Sequence, residues 1–278
     1  MTQLRWFITG ASTGFGRTFA ETLLAQGDQV VATARNPESI ADLPDRYPGA
    51  ALALPLDVTD PGQITTAVGS ALDSGGIDVL VNNAGRGLLG ALEELSDEQI
   101  HRVLDVNLFG ALAVTRAVLP HMRARRSGHI VQISSVGGVV GNPGHAAYAT
   151  SKFALEGASE ALAGEVAPFG IRVTIVEPGP FRTDFLGRSL EMATPIPDYQ
   201  DGPPGVLRER FSKQHGQQPG DPELAIEAII GTVRAGAGPL RLPLGAAAVE
   251  RIRDKLQRQL ADLEAYADLA VSTDRPAG

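Results

Sequence analysis

Trp6-Phe7-Ile8-Thr9-Gly10-Ala11-Ser12-Thr13-Gly14-Phe15-Gly16 is the stretch that decides the fold class of this chain. An apolar run short enough for a buried strand passes directly into a glycine-rich turn. Helical periodicity follows from Arg17 to Ala25, with Phe19, Leu23 and Leu24 apolar and Gly27 as a stop. A second buried strand is then expected at Gln29–Thr33. A glycine-rich turn between a strand and a helix presents free backbone N–H groups and the positive end of a helix dipole to an anion. A plain tight turn would use the same residues. In the strand–turn–helix–strand setting, the turn reads as a dinucleotide cradle built from Gly10, Ser12, Thr13, Gly14, Phe15 and Gly16.

The same alternation continues outward. Further strands are expected at Ala51–Leu56, Ile77–Val81, His129–Ser134 and Ile171–Val176, with an edge strand at Leu240–Leu244, where Pro243 is tolerable. Helices are expected from Pro61 to Leu72, from Ser96 to Met122, from Ala147 to Pro168, from Asp221 to Ala235 and from Ala246 to about Ala270. Ser96 and Gln99 have capping-box spacing. Asn107 interrupts an apolar helical region, which suits a polar residue that bends or pins the helix. Strands alternating with helices predict an α/β fold, a Rossmann-type doubly wound parallel sheet of about seven strands with helices on both faces. With no linker and no internal repeat, residues 1–278 read as one domain. Residues 184–220 are rich in proline, glycine and charge and read as a substrate lid with short helical pieces. Residues 272–278 read as a flexible tail.

The formal net charge is -8 and no basic block stands out, so a nucleic-acid partner is not expected. The absence of cysteine rules out disulfides, a catalytic thiol and thiolate-bound zinc. His101, His121, His129, His145 and His215 lack metal-ligand spacing, so no metal site is expected. No signal pattern and no membrane-spanning run is read from the sequence, and a cytoplasmic location is the expectation.

Chemistry concentrates between Ser135 and Lys152. Tyr148 and Lys152 are four apart on a helix and so share a face. An ammonium beside a phenol lowers the phenol pKa toward working pH, which makes Tyr148 a general acid/base candidate. Such a pair alone is equally a helix-surface contact. Ser135 follows a strand and could donate its hydroxyl to a carbonyl oxygen, with Ser134 as the competing residue. At the end of the second strand Ala34 replaces the acid that would hold the NAD ribose, and Arg35 follows, which favours NADP(H) over NAD(H). Arg35 as a solvated surface charge is the alternative.

Thr9-Gly10 with Gly14 and Gly16, Asp57-Val58, Asn82-Asn83-Ala84-Gly85, Asn107, Ser135, Tyr148 with Lys152, and Pro178-Gly179 with Thr183 occur in this order. Together they resemble the short-chain dehydrogenase/reductase family, from Thr9 through at least Leu244. The resemblance implies a catalytic set of Asn107, Ser135, Tyr148 and Lys152, with Asn107 supporting a water relay to Lys152. It also implies Asp57 and Val58 at the adenine and Asn83, Ala84 and Gly85 by the adenosine ribose and sheet core. Pro178, Gly179, Phe181 and Thr183 would lie at the nicotinamide, and Tyr148 and Lys152 would also contact the cofactor, Lys152 at the nicotinamide ribose. Thr183 as a simple helix cap, and Asp57 as a turn or cap residue, remain open. The expected reaction interconverts a ketone or aldehyde and its alcohol. Val136, Gly137, Asn142, His145, Phe185 and Leu186 are the candidate substrate contacts, together with Ser135, in a pocket suited to a hydrophobic molecule. A homodimer or homotetramer is expected through the long helices. The alternatives are a non-catalytic NADP(H) sensor or scaffold and a sugar-nucleotide epimerase or dehydratase.

Overall fold

The computed structural model describes residues 3–214 and 216–275, so His215 in the expected lid and residues 276–278 of the expected tail lie outside the described residues. The elements are β1 (Arg5–Ile8), α1 (Gly14–Ala25), β2 (Gln29–Ala34), α2 (Asp42–Arg46), β3 (Ala51–Pro55), α3 (Pro61–Asp73), β4 (Val79–Asn82), β5 (Gly87–Leu89) and α4 (Asp97–Leu104). Then come α5 (Ala111–Arg125), β6 (Gly128–Ile133), α6 (Ala146–Val166), β7 (Ile171–Pro178), β8 (Leu190–Met192) and α7 (Pro203–Gln214). The chain closes with α8 (Pro222–Ala235), β9 (Arg241–Leu244), α9 (Ala246–Ala265) and α10 (Ala267–Val271).

Seven strands form one parallel sheet in the order β3-β2-β1-β4-β6-β7-β9. Alternate strand side chains face opposite layers. Trp6 and Ile8 pack with Phe19, Leu23, Ile226 and Ile229 under α1 and α8. Phe7 packs on the other face with Ile64, Val114, Val118 and Val166, from α3, α5 and α6. The chain runs outward from β1 to β3, then returns to start β4 on the other flank of β1. A crevice opens at such a reversal, at the carboxyl ends of the strands.

Two features depart from the sequence reading. β5 and β8 form a small parallel sheet, Gly87–Leu89 against Leu190–Met192, that stitches the early part of segment 184–220 to the chain after β4. The C-terminal helix, expected to run unbroken to about Ala270, breaks at Tyr266 between α9 and α10. The long helix from Ser96 does have its capping box, with Ser96 accepting from Gln99 N. Between α4 and α5 it loosens into a π-helical stretch, Asp105–Gly110, around Asn107. By length and composition the continuous run Asp97–Arg125 could cross a membrane. In the fold its apolar side is taken up by the core, through Val103, Val114, Val118 and Met122.

Candidate active site

The glycine turn after β1 and the segment after β4 meet at the crevice. Asn83 Nδ2 donates to the carbonyls of Thr9 (2.9 Å) and Gly10 (3.0 Å), and Thr9 Oγ1 accepts from the N–H groups of Asn83 and Ala84 at 3.0 Å. Gly10 has a φ of +69°, and a Cβ there would lie 2.9 Å from Ala84 Cα. Only glycine admits both the backbone angle and that approach. Gly16 is buried, and a Cβ on it would collide with the Gly10 carbonyl and come 2.5 Å from Asn83 Nδ2. Gly16 therefore sets how closely α1 approaches the turn and does not itself reach the cavity wall. Thr13 caps α1 without a side-chain bond, and no acidic residue occupies the first turn. The leading N–H groups of α1 are thus left for an anion, and Ser12, Thr13, Gly14 and Phe15 line the cavity beside them. That cradle fits a dinucleotide pyrophosphate.

The cavity has a volume of about 1240 Å³. At one end of the cavity, Arg35 is exposed just after β2, with Asp57 and Val58 after β3. Asp57 Oδ1 accepts from Thr59 N (2.9 Å) and Thr59 Oγ1 (2.7 Å), so it also serves as a turn residue. Asn83, Ala84 and Gly85 form the wall after β4. Pro178, Gly179, Phe181 and Thr183 form the wall after β7, where Phe181 meets Phe15 edge-on at 5.3 Å. Thr183 Oγ1 accepts from Phe185 N at 3.4 Å, so it caps a short turn as well as facing the cavity.

Ser135, Tyr148 and Lys152 come together on the cavity wall. Gly137 sits between the first two. A Cβ on Gly137 would lie 3.1 Å from Tyr148 Cε1 and 3.3 Å from Ser135 Oγ. Ser135 Oγ accepts from Gly137 N at 2.9 Å, which fixes its rotamer and leaves its hydrogen for another acceptor. Ser134, the competing serine, also reaches the wall. Asn107 stands behind the cavity, 1% exposed. Its Oδ1 accepts from Arg86 N (2.8 Å), while Nδ2 donates to Arg86 O (2.9 Å) and Ser151 Oγ (3.0 Å). The π-helical loosening thus carries an amide that clamps the strand-end segment to α6, beside Lys152.

One electrostatic expectation is corrected. Burial pushes the Tyr148 phenol up to about 12, against a smaller lowering from the Ser135 hydroxyl. Burial likewise pulls Lys152 down to about 8, partly opposed by Glu156. Lys152 is not among the groups that lower the tyrosine, and its ammonium donates to the Ile133 carbonyl, 2.7 Å away. Tyr148 is therefore held as the neutral phenol.

Val136, Gly137, Asn142, His145, Phe185 and Leu186 all line the cavity, at the end away from Arg35. The His145 ring packs 5.4 Å from Tyr148 and 5.0 Å from Phe211. Burial and the Arg251 charge push His145 down to about 4, so the ring is neutral. Sequence reasoning missed Leu207 and Phe211 of α7 and Arg251 of α9, which close this end. No motif marks them, because they reach the cavity only through the packing of the lid and the C-terminal helix. Of the lid-region arginines, Arg188 and Arg210 face the cavity, whereas Arg208 is paired with Glu94 at 2.8 Å.

The comparisons agree with this architecture. A model of the family described as short chain dehydrogenase matches residues 5–193. "Oxidoreductase BOA17" of Botryotinia fuckeliana is 41% identical over 248 residues, which cover 88% of this chain and 90% of that protein. A "3-ketodihydrosphingosine reductase" of Bacteroides thetaiotaomicron is 44% identical over 198 residues, 70% of this chain and 71% of that one. A solved short-chain dehydrogenase from Streptomyces avermitilis superposes with a TM-score of 0.92 at 42% identity, covering 99% of this chain and 100% of the other.

Proposed function

This chain belongs to the short-chain dehydrogenase family, whose members are NAD(P)(H) oxidoreductases, and on that premise we propose that it interconverts a ketone or aldehyde and the corresponding alcohol with NADP(H). The observation that carries the reading is the convergence of Ser135 Oγ and the Tyr148 ring over Gly137, with Lys152 one helical turn behind. The bound dinucleotide supplies or accepts the hydride. Ser135 donates a hydrogen bond to the carbonyl oxygen and holds it beside Tyr148. As the oxygen gains negative charge, Tyr148 gives it the phenolic proton, and in oxidation it takes that proton back. The raised Tyr148 pKa keeps the phenolic proton in place at neutral pH. Lys152 and the amide clamp at Asn107 hold the cofactor side of the pocket in place and lead toward a proton path.

The NADP(H) preference rests on Arg35, placed at the adenosine-side end of the cavity without an acidic neighbour on β2. A hydrophobic substrate is supported by Phe185, Leu186, Leu207 and Phe211, and a carbonyl substrate by the ketone in the name of the Bacteroides relative. A homo-oligomer is supported by the outer face of α6, where Phe153, Gly157, Ala161 and Gly164 are exposed at helical spacing. Residues 184–220 act as the lid in this reading.

The test is a fluorescence titration with NADPH and NADH, followed by a screen of ketones and aldehydes for NADPH consumption. Tyr148→Phe should lower kcat on a true substrate by about 10²- to 10⁴-fold and leave NADPH affinity within about threefold. Near-wild-type turnover in Tyr148→Phe would remove the assignment. Tight NADPH binding with no turnover across the panel would favour a sensor.

A further inference from the structure

Two arginines at the substrate end of the cavity lack acidic partners. Arg251 projects from the second turn of α9, and its Nη2 donates to the neutral carboxamide oxygen of Asn142 at 2.7 Å. Arg210 projects from α7, and it lies close enough for its charge to act with burial in lowering the Arg251 pKa. Among the described residues, neither guanidinium forms an ion pair. Nearby carboxylates are engaged elsewhere: Glu94 with Arg208, Glu209 with Lys213, and Glu191 with Arg86 and Arg102. Asp201 also lines the cavity and is in no ion pair. In a chain with 32 acidic and 24 basic residues, this local excess of positive charge is uneven. Two like charges brought together in a half-desolvated cleft are costly without an anion.

A second observation is independent of the arginines. His145, 7% exposed, lines the same end, and its Nε2 has no hydrogen-bond partner. A neutral imidazole can donate one hydrogen bond there. The location also separates this cluster from the phosphates of the cofactor. Asn142 and His145 follow β6, whereas the glycine turn that fits the pyrophosphate follows β1, two strand spacings away, roughly 10 Å, and Arg35 follows β2, one spacing further. The apolar side chains of Phe185, Leu207 and Phe211 share this end of the cavity with the cluster.

We propose that Arg251 and Arg210, with His145, form a subsite for an anionic group, a carboxylate or a phosphate, at the end of an otherwise apolar carbonyl or alcohol substrate. The proposal rests on the oxidoreductase reading above for which end of the cavity holds substrate. It deepens that reading by naming the recognition group.

Calorimetry on the protein saturated with its dinucleotide tests it, with octanoate, octyl phosphate and octanamide as probes. At least one anion should bind 10- to 100-fold tighter than octanamide, the range for a charge-assisted hydrogen bond. Whichever anion binds tighter identifies the headgroup. Arg251→Gln and Arg210→Gln should each remove most of that preference, and Arg251→Lys should keep part of it. Octanamide affinity reports whether each variant pocket is intact. Equal binding of all three probes to the wild type, or equal weakening of all three in the variants, would overturn the subsite. Turnover of neutral ketones without anion preference sinks the subsite alone. Anion preference without any NADPH-linked turnover sinks the oxidoreductase reading and retains the subsite.

Discussion

Lys152 Nζ donates to the carbonyl oxygen of Ile133 at 2.7 Å, which ties α6 to the end of β6 two residues before Ser135. The bond explains how three residues from two elements hold a common register. It also buries a cation, and that burial has a measurable consequence.

Lys152 is pulled from 10.5 to about 8 by burial, with Glu156 opposing. A lysine whose folded pKa lies below its unfolded value binds its proton less well when folded. Folding is therefore penalised below about pH 8, and stability rises as pH increases from about 8 to 10.5. The full effect is about 3 kcal/mol. Above pH 10 Tyr148 acts in the other direction, because its raised pKa costs stability as the unfolded chain ionises first. Urea denaturation of the cofactor-free protein between pH 7.5 and 10 should show the rise, and Lys152→Met should flatten it. An equal slope in both proteins would count against a buried, protonated Lys152.

Gly16 and Gly69 should respond oppositely to alanine. A Cβ at Gly16 has no room between the Gly10 carbonyl and Asn83, so Gly16→Ala should cost about 1–3 kcal/mol and weaken NADPH binding. Gly69 lies inside α3 with nothing within 4 Å of a Cβ, so Gly69→Ala should stabilise by about 0.5–1 kcal/mol. Thermal melts of the two variants check both signs.

Arg35→Asp should weaken NADPH by about 10- to 100-fold, since it removes a charged donor and adds a repelling carboxylate. NADH should bind at least as well as before. Titration of both dinucleotides reads the ratio, and an unchanged ratio would return Arg35 to a solvated surface charge.

Glu94 ties the segment 184–220 to the chain after β5. Its side chain is fully buried and accepts from Ala91 N (2.7 Å), Ile196 N (2.9 Å) and Arg208 Nη2 (2.8 Å). Glu94→Ala leaves Arg208 and the Ile196 N–H without this acceptor, at a cost of about 1–3 kcal/mol. Local opening of the segment 184–220 should become easier, so trypsin should cut in that segment at least tenfold faster. An unchanged cleavage rate would mean that other contacts, such as β5 with β8, hold that segment alone.

Much of the fold was legible because its signals are local. The strand–glycine–helix unit at Trp6–Ala25, the Ser96 cap with Gln99 and the edge strand ending at Leu244 each depend on residues close in sequence. The β5–β8 pair was not legible. Gly87–Leu89 and Leu190–Met192 are about a hundred residues apart and three residues each, too short for a periodic signal. The break at Tyr266 was also hidden, since the amphipathic pattern continues across it.

For this protein, the sequence by itself determined the order of the seven main strands and the long helices between them, the glycine cradle and the spacing of Ser135, Tyr148 and Lys152, because periodicity and motif spacing act along the chain. Only the tertiary structure decided that Lys152 points at Ile133, that Tyr148 is held neutral, and that Arg251 and Arg210 converge beyond His145. Those outcomes depend on burial and on charges brought together from distant segments. Desolvation and Coulomb forces act through space, and linear order does not encode them directly.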